Sequence, residues 1–320
     1  MLPSVLLVGS GPMAREYARV LRGRGTSFRV VARDPGRTAV FADETGAVDH
    51  VLLEDLDAGT VAESAWTIVA TTPESLDPVA TRLLDLGARE MLLEKPGAMS
   101  AGALRGLADR AEEVGALVRI ATNRRYFGSV VALRAILDDE APLCARFDFT
   151  EWADRVATSG RRADVLERWA LANSIHVIDT VEHLLGPLRP DHVTVGDPGA
   201  LTWHPAGATF VGSGRCTAVP VTWSSSWIAP GRWSIEVRTR QGRYRLAPME
   251  RLFVMRPGTV AWTEIPPTDS LDTDWKPGVW RTVEAFDGLR ERPTSPSVLP
   301  QLRTFAETLA IIETIAGYAS

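Results

Sequence analysis

The sequence predicts an α/β domain with a parallel sheet, followed by an α+β domain with a mainly antiparallel open sheet. In the first half, short runs of continuous apolar residues alternate with helical stretches, which is typical of parallel strands covered by helices. In the second half, strand-like runs follow one another from 193 to 263 without helices between them. Because a length of 320 residues suits two domains, we predict one domain over 1–122 and a second over 123–320.

Hydrophobic periodicity defines the elements of the first domain. Ser100 is a candidate N-cap, and Gly87 and Gly115 are candidate residues for helix ends. The predicted strands span 5–8, 28–32, 67–71, 91–93 and 117–121, and the predicted helices span 12–22, 79–86 and 101–114.

The second domain reads as a one-layer sheet backed by helices. Residues 143–150 alternate apolar and polar side chains, as a half-buried strand does. Gly242 and Gly258 mark turns between strands. Further strands are predicted at 218–223, 233–239, 244–246 and 260–263, and helices at 130–137, 175–185, 279–289 and 299–316.

Composition argues against several classes of protein. The net charge is -5 and no basic cluster stands out, so a nucleic-acid partner is not expected. Cys144 and Cys216 are the only cysteines and form no C-x-x-C, which excludes a disulfide framework or a cysteine-rich zinc site. No basic segment precedes the apolar run at 5–8, which is too short to cross a membrane. We therefore expect a cytoplasmic protein without a membrane partner.

A glycine-rich motif joins the first predicted strand to the first predicted helix and reads Gly9-Ser10-Gly11-Pro12-Met13-Ala14. It matches the dinucleotide-binding pattern G-x-G-x-x-A of Rossmann domains. Gly9 permits the tight turn, and Gly11 lets the backbone approach a pyrophosphate, which the helix N-terminus attracts. Pro12 suits the first helical position. The alternative is a glycine turn that binds nothing.

The end of the second strand distinguishes NADP from NAD. It reads Ala32-Arg33-Asp34, and Arg37 lies one helical turn further on. A guanidinium binds a 2′-phosphate in bidentate fashion, so Arg33 and Arg37 favour NADP. In the alternative, Asp34 accepts hydrogen bonds from the ribose of NAD and the two arginines are solvated surface charges. Asp34-Pro35 also resembles an N-cap followed by proline at the first helical position.

Four further segments carry a resemblance to a known family. They are Thr71-Thr72-Pro73-Glu74, Glu94-Lys95-Pro96, Asn123-Arg124-Arg125-Tyr126 and His176-Val177-Ile178-Asp179. Together with the glycine motif, they resemble the Gfo/Idh/MocA oxidoreductases (glucose–fructose oxidoreductase, inositol dehydrogenase and relatives). The resemblance covers essentially the whole chain. It implies metal-free hydride transfer and a homo-oligomer that forms through the sheet of the second domain. It also implies cofactor contacts from Thr71, Thr72, Pro73, Glu94, Lys95 and Asn123.

The resemblance implies that Lys95 lies beside the nicotinamide and the substrate. A charged lysine stabilises the oxyanion that develops during hydride transfer to a carbonyl. His176 is expected to donate a proton or to orient a group, and Tyr126 and Asp179 are further candidates for catalysis. The alternatives are structural: a packed aromatic at Tyr126 and a buried hydrogen-bonding partner at Asp179. The sequence departs from the family at Ala172, where an Asp is usual, and near Leu76, where a His is usual.

Candidate substrate contacts surround a polar stretch before the His176 helix. Trp152 and Trp169 flank a stretch that contains Arg155, Arg161, Arg162 and Arg168. This stretch either binds an anionic substrate or is an ordinary solvated loop with aromatic anchors. Candidates beside the family-like segments are Arg124, Asn173 and Lys276.

A metal site on the same helix is the less favoured interpretation. His176, Asp179 and His183 have the spacing of one helical face. No recognised zinc-binding helix such as H-E-x-x-H is present, so no metal is expected.

Three functions follow from these observations. The first is an NADP-dependent oxidoreductase that acts on a carbonyl or alcohol of a sugar, a nucleotide sugar or a similar small metabolite. The second is an NADPH-dependent imine reductase, which the missing Asp at position 172 favours. The third is a non-catalytic sensor or scaffold that binds NADP.

Overall fold

The computed structural model describes residues 5–292 and 298–318, which form two compact units. The first unit contains the described residues up to Thr122 and those from Val279 to Ala306. The second unit contains Asn123–Gly278 and the described residues from Glu307 onward. The residues 279–292 and 298–306 therefore pack with the first unit, whereas the sequence placed all of 123–320 in one continuous second domain.

Both units combine strands and helices. The strands are β1 Val5–Val8, β2 Phe28–Ala32, β3 Asp49–Leu52, β4 Trp66–Val69, β5 Glu90–Glu94, β6 Leu117–Ala121, β7 Cys144–Asp148, β8 Leu188–Gly196, β9 Thr209–Cys216, β10 Val219–Ser226, β11 Ser234–Arg238, β12 Arg243–Leu246, β13 Leu252–Met255 and β14 Thr263–Ile265. The helices are α1 Pro12–Gly23, α2 Pro35–Thr45, α3 Ala58–Ala62, α4 Leu76–Asp85, α5 Ala101–Glu113, α6 Gly128–Asp139, α7 Ala153–Ala157, α8 Ala163–Leu166, α9 Ile175–Leu185, α10 Leu271–Asp274, α11 Val279–Glu291 and α12 Leu302–Ala316. Short 3₁₀ turns lie at Pro73–Ser75 and Asn123–Tyr126, and a π-helical turn lies at Ala170–Ser174.

The first unit is built on a six-stranded parallel sheet with the order β3-β2-β1-β4-β5-β6. All residues of β1 and β4 are buried, which explains their continuous apolar runs. The strand order reverses between β1 and β4, and ligands of such sheets bind at the carboxyl ends of the strands at this point. The predicted α/β domain with a parallel sheet is confirmed.

Helix α11 belongs to the first unit because its partners lie there. Phe286 packs against Trp66 of β4 with ring centroids 5.2 Å apart. On the same helix, Asp287 pairs with Arg24 at 2.9 Å. The helix itself was correctly predicted from the sequence. The sequence carries no local signal, however, that shows which unit covers its apolar side.

The second unit is built on an eight-stranded sheet with the order β14-β13-β12-β11-β7-β10-β9-β8. Only β7 and β10 pair in parallel among these strands, so the predicted mainly antiparallel sheet is confirmed. One face buries Phe147 and Trp223, whose rings stack with centroids 5.6 Å apart. Helix α9 packs against β7, β9 and β11, which places its residues beside this sheet.

Two parts of the predicted second sheet were wrong in detail. The predicted strand at 260–263 is mostly a loop, in which Val260 is 88% exposed, and β14 begins only at Thr263. Strands β8, β9 and β13 were not predicted as separate elements. In β9, Gly212 and Gly214 interrupt the apolar alternation on which strand prediction depends.

In the part of the chain that the structure describes, no helix has both the length and the apolar character needed to cross a membrane. The same residues contain no group of three or more histidine, cysteine or acidic side chains that could hold a metal ion.

Candidate functional site

The glycine motif forms a tight turn at the point where the first sheet reverses its strand order. Gly9 has φ of +126°, and a Cβ atom at this position would lie 2.3 Å from the carbonyl oxygen of Ala70. Only glycine fits there without displacing the end of β4. A Cβ atom on Gly11, in contrast, would meet no atom within 4 Å. The space beside Gly11 is therefore open to a ligand.

Helix α1 begins at this turn without a side-chain cap. Gly11 is the N-cap and Pro12 the first helical residue. The first N–H groups of a helix have no partner within the helix and carry a partial positive charge, so they bind phosphate oxygens. Ser10 and Met13 are half-buried beside the turn, and Ala14 is buried. The residues of the glycine motif thus fit the pyrophosphate of a dinucleotide.

Two arginines lie beyond the end of β2. Arg33 and Arg37 are exposed, and neither guanidinium has a hydrogen-bond or ion-pair partner within 5–292 and 298–318. Asp34 is the N-cap of α2, and its carboxylate accepts a hydrogen bond of 2.8 Å from the backbone N–H of Arg37. The predicted N-cap is present, and it uses one of the two carboxylate oxygens of Asp34.

The residues after β4 lie at the same edge of the sheet. The hydroxyl oxygen of Thr71 is buried and makes no hydrogen bond to any described residue. The Thr72 hydroxyl donates to Glu74 at 2.7 Å, and Pro73 begins the 3₁₀ turn. Thr71 is therefore the member of this predicted cofactor-binding segment whose side chain is left available to a ligand.

Lys95 follows β5, at the carboxyl edge of the same sheet. It is half-buried, and the peptide bond between Lys95 and Pro96 is cis. The preceding Glu94 is buried and accepts a hydrogen bond of 2.6 Å from the hydroxyl of Tyr17 on α1. Burial, with a further contribution from Glu94, raises the pKa of Tyr17 well above its ordinary value. Helix α1, which starts at the glycine motif, is thus hydrogen-bonded to strand β5, which ends directly before Lys95.

In the second unit, the predicted segment at Asn123 contacts the predicted loop at Lys276. The Asn123 side chain donates a hydrogen bond of 3.0 Å to the carbonyl of Pro277. A Cβ atom on Gly278 would lie 2.0 Å from the Asn123 carbonyl oxygen, so the close approach requires glycine. Asp272, which the sequence did not single out, accepts hydrogen bonds from the N–H groups of Gly128 and Gly278. The Asn123 amide is therefore used within its own unit, while Lys276 is exposed.

Asp179 forms a buried ion pair with Arg125. Both Asp179 oxygens accept from Arg125 Nε at 3.1 Å, and one also accepts from a terminal guanidinium nitrogen at 2.6 Å. The Asp179 side chain is 3% exposed. The pair joins the turn at Asn123–Tyr126 to α9, so the geometry supports the structural alternative for Asp179. Neighbouring Tyr126 is buried, and burial raises its pKa above the ordinary value.

His176 lies in the first turn of α9, directly after the π-helical turn. It is buried, and its ring packs against Trp233 with centroids 5.8 Å apart. Ala172, noted above as a departure from the resembled family, is a buried apolar residue. Burial, together with the charges of Arg125 and Arg134, lowers the pKa of His183 to about 3.

Glu151 is a buried carboxyl group that sequence reasoning missed. It follows β7 and accepts hydrogen bonds from the Asn173 side chain at 3.0 Å and from the Ser174 hydroxyl at 2.7 Å. Burial raises its pKa, although these two hydrogen bonds and the charge of Arg232 oppose the shift. Asn173, a predicted substrate contact, therefore holds Glu151 beside the turn that leads to His176.

The predicted arginines of the second unit separate into two groups. Arg168 pairs with Glu313 at 2.8 Å and lies over the ring of Tyr318, and Arg162 pairs with Asp164. Arg155 instead lies over the ring of Trp152, with 4.3 Å between the guanidinium carbon and the ring centroid. Arg168 is thus held by an ion pair within its own unit, while Arg155 and Trp152 remain candidates for substrate contact. Trp169 is half-buried beside the π-helical turn.

Two residues that sequence analysis did not propose for substrate binding lie beside Arg155 and Trp152. Arg232 and Trp233 precede β11, which pairs antiparallel with β7. The start of β11 therefore lies at the end of β7, next to Glu151 and Trp152. An Arg-Trp pair at the start of a predicted strand was the available signal, but only the strand pairing shows which residues it meets.

Comparison with solved structures identifies the fold of this chain. No protein-family model and no curated protein matches the sequence. Among solved structures, an oxidoreductase from Agrobacterium radiobacter in complex with NAD+, L-tartaric acid and magnesium is similar at 18% identity and a TM-score of 0.76, covering 98% of this chain and 95% of that chain.

Two further structures have the same TM-score of 0.76. A dehydrogenase (MviM) from Clostridium difficile is 12% identical, with 98% of this chain and 99% of that chain covered. UDP-N-acetylglucosamine 3-dehydrogenase (GnnA) from Acidithiobacillus ferrooxidans is 15% identical, with 98% and 96% covered. The chain thus has the two-part fold of these dehydrogenases along nearly its whole length.

Proposed function

We propose that this protein is an NADP-dependent oxidoreductase that transfers a hydride between the nicotinamide and a carbonyl or alcohol of a sugar, a nucleotide sugar or a similar small metabolite. The observation that supports this most is the glycine turn at the switch point of the first sheet. Gly9 is required there by its φ angle and by its distance from Ala70, while Gly11 leaves open space before an uncapped helix N-terminus.

The choice of NADP rests on the end of β2. Arg33 and Arg37 are exposed and have no carboxylate partner in the described part of the chain. Residues that bind a 2′-phosphate have the same two properties. Asp34 already accepts a hydrogen bond at the start of α2. The similar Agrobacterium radiobacter structure holds NAD+, so NAD is the competing cofactor.

When bound, the dinucleotide supplies or accepts the hydride. Lys95 then donates a hydrogen bond to the substrate oxygen and stabilises its developing negative charge. His176 or Tyr126 provides the proton. Burial raises the pKa of Tyr126, so its hydroxyl stays protonated at neutral pH but gives up its proton less readily, which makes His176 the better candidate for proton donor. Asp179 positions Arg125 and does not take part in proton transfer.

A second candidate reaction is the reduction of an imine. Ala172 places a buried methyl group where the related enzymes are expected to carry a carboxylate. Proton transfer to the substrate therefore has to proceed without a carboxylate at this position, as the reduction of an imine would allow. Product analysis with ketone and imine substrates separates the two reactions. Failure of every such substrate, with NADPH still bound, would favour a non-catalytic sensor or scaffold.

Substitution of Lys95 tests the proposed chemistry. It is one of only two lysines in the chain, the other being Lys276. We expect Lys95→Met to lower kcat by about 100- to 1,000-fold, the usual loss when an oxyanion donor is removed. Because Lys95 is also an expected cofactor contact, we expect the affinity for NADPH to fall as well, but by less than kcat. The control is Arg19→Met, which removes an exposed cation on α1. Equal turnover of the two variants would contradict the role of Lys95.

We also propose a homo-oligomer that forms through the sheet of the second unit. The face opposite the buried Phe147 and Trp223 exposes Arg146, Thr222 and Val211, the last of which is 43% exposed. Light scattering of the purified protein measures the assembly directly, and a mass equal to that of the 34.8 kDa chain would contradict the proposal.

A further inference from the structure

The end of the second sheet gathers aromatic and cationic side chains beside His176. Strand β11 pairs antiparallel with β7, with Ser234 opposite Asp148. The residues that follow β7 and those that precede β11 therefore lie together. The Trp152 indole donates a hydrogen bond of 3.2 Å to the carbonyl of Gly231, which fixes these two segments to each other.

The guanidinium of Arg232 lies between two tryptophans. Its central carbon is 4.6 Å from the ring centroid of Trp152 and 4.4 Å from that of Trp233. Arg155 lies over Trp152 at 4.3 Å, and Arg124 lies over Trp233 at 4.9 Å. Aromatic faces thus hold three guanidiniums in one cluster, which we call the Arg-Trp cluster: Arg124, Arg155 and Arg232 with Trp152 and Trp233.

Cation–π contacts with the two rings restrain these guanidiniums. A guanidinium presents its N–H groups in one plane, where they can meet two oxygens of a carboxylate or phosphate. Fixing the side chain in advance also lowers the entropic cost of binding. The cluster reaches His176, because the His176 and Trp233 rings are 5.8 Å apart.

Two arginines of the Arg-Trp cluster, Arg155 and Arg232, have little carboxylate charge near them, and Arg155 forms no ion pair with a described residue. Glu151 is the carboxylate nearest to Arg232, at 3.8 Å, and it is already hydrogen-bonded to Asn173 and Ser174. Elsewhere in this unit, arginines meet carboxylates at shorter range, for example Arg168 with Glu313 and Arg243 with Glu236. Arg155 and Arg232 thus lie near a single carboxylate that is already hydrogen-bonded elsewhere, which favours an anionic ligand.

We propose that the Arg-Trp cluster binds an anionic group of the substrate, a phosphate or a carboxylate. This inference rests on the proposed function only for the statement that the ligand is the substrate. It narrows the substrate class from sugars and similar metabolites to those that carry such a group. Arg232 is the central residue, because it contacts both tryptophans.

Calorimetric titration of the complete protein tests this proposal. The probes are inorganic phosphate, D-glucuronate and neutral D-glucose, each with saturating NADP+ so that phosphate cannot occupy the cofactor site. We expect saturable binding of phosphate or glucuronate but not of glucose. Tighter phosphate binding would indicate a phosphorylated substrate, and tighter glucuronate binding a sugar acid.

Matched variants locate the binding. We expect Arg232→Gln to weaken binding of the anionic probe by about 10- to 100-fold, as loss of a charge-assisted hydrogen bond does. Arg232→Lys should recover part of this affinity. Arg162→Gln is the control, because Arg162 lies in the same unit and is exposed and paired with Asp164. Equal binding by Arg232→Gln and Arg162→Gln would overturn the proposal, as would glucose binding as tight as that of the anions or no anion binding at all.

A separate NADPH titration distinguishes this proposal from the proposed function. Arg232 lies in the second unit and the glycine motif in the first. If anions bind through Arg232 but NADPH does not bind, the Arg-Trp cluster is an anion site and the oxidoreductase assignment fails. If NADPH binds and Arg232→Gln has no effect on anions, only the substrate class is wrong.

Discussion

Glu151 shows how a single buried carboxyl group shapes the region around His176. Its side chain is 2% exposed and has two hydrogen-bond donors and one arginine near it. Removal from water disfavours the charged form, and this effect exceeds the opposing effects of Ser174, Asn173, Arg232 and Trp169, because the pKa of Glu151 is raised. The protein therefore binds a proton at Glu151 more tightly when it is folded than when it is unfolded.

The pH dependence of stability tests this description. A carboxyl group with a raised pKa stabilises the fold fully below its unfolded pKa of about 4.3, and this stabilisation is lost as pH rises through the folded pKa. We expect the free energy of unfolding of the wild type, minus that of Glu151→Gln, to fall as pH rises across this window. Urea unfolding at several pH values measures it. A difference that grows with pH would show that the carboxylate is the stabilised form.

At the residue scale, sequence reasoning succeeded where local geometry determines the residue type. Gly9 and the N-cap Asp34 could be identified because each is required by the chain immediately around it. Glu151, Arg232 and Tyr17 were missed because their partners are distant in sequence. Tyr17, for example, donates to a carboxylate that is 77 positions away.

At the scale of elements, the Arg125–Asp179 ion pair joins the turn at Asn123–Tyr126 to α9. Both side chains are largely buried, at 13% and 3% exposed. Each charge depends on the other, because an isolated buried charge is costly. The pair therefore holds the segments that carry Tyr126 and His176 in a fixed relation.

Removing one charge of this pair should destabilise the fold. We expect Asp179→Ala to lower the free energy of unfolding by about 3–5 kcal/mol, the usual cost of breaking a buried ion pair. The control Asp164→Ala breaks an exposed pair with Arg162, and we expect it to change the free energy of unfolding far less. Denaturant unfolding measures both. If Asp179→Ala abolishes turnover while stability is unchanged, Asp179 has the catalytic role that the sequence suggested.

Elements could be predicted where the apolar pattern is regular. Strands β1, β2 and β6 have the predicted bounds, and α9 spans the predicted residues 175–185. Strand β9 could not be predicted because the packing of the sheet requires its glycines. A Cβ atom on Gly212 would lie 2.1 Å from the ring of Trp223 on the neighbouring strand. Trp223 therefore fills the space in which an apolar side chain at position 212 would have continued the alternating pattern.

At the scale of the whole molecule, the chain returns to its first unit after completing the second sheet. Helix α11 packs on the first unit through Phe286 and Asp287. Hydrophobic periodicity predicts that such a helix exists and which side is apolar, but not which surface covers that side. The predicted fold class was therefore correct for both units, while the assignment of 279–306 could not be read from the pattern.

The central claim is that the first unit binds NADP through the glycine motif and Arg33. The most direct test is a titration of the purified protein with NADPH and with NADH, followed by energy transfer from tryptophan to the dihydronicotinamide. We predict tighter binding of NADPH, and a loss of about 10- to 100-fold in NADPH affinity in Arg33→Ala with NADH affinity unchanged. Preference for NADH would transfer the ribose contact to Asp34, and binding of neither cofactor would contradict the account.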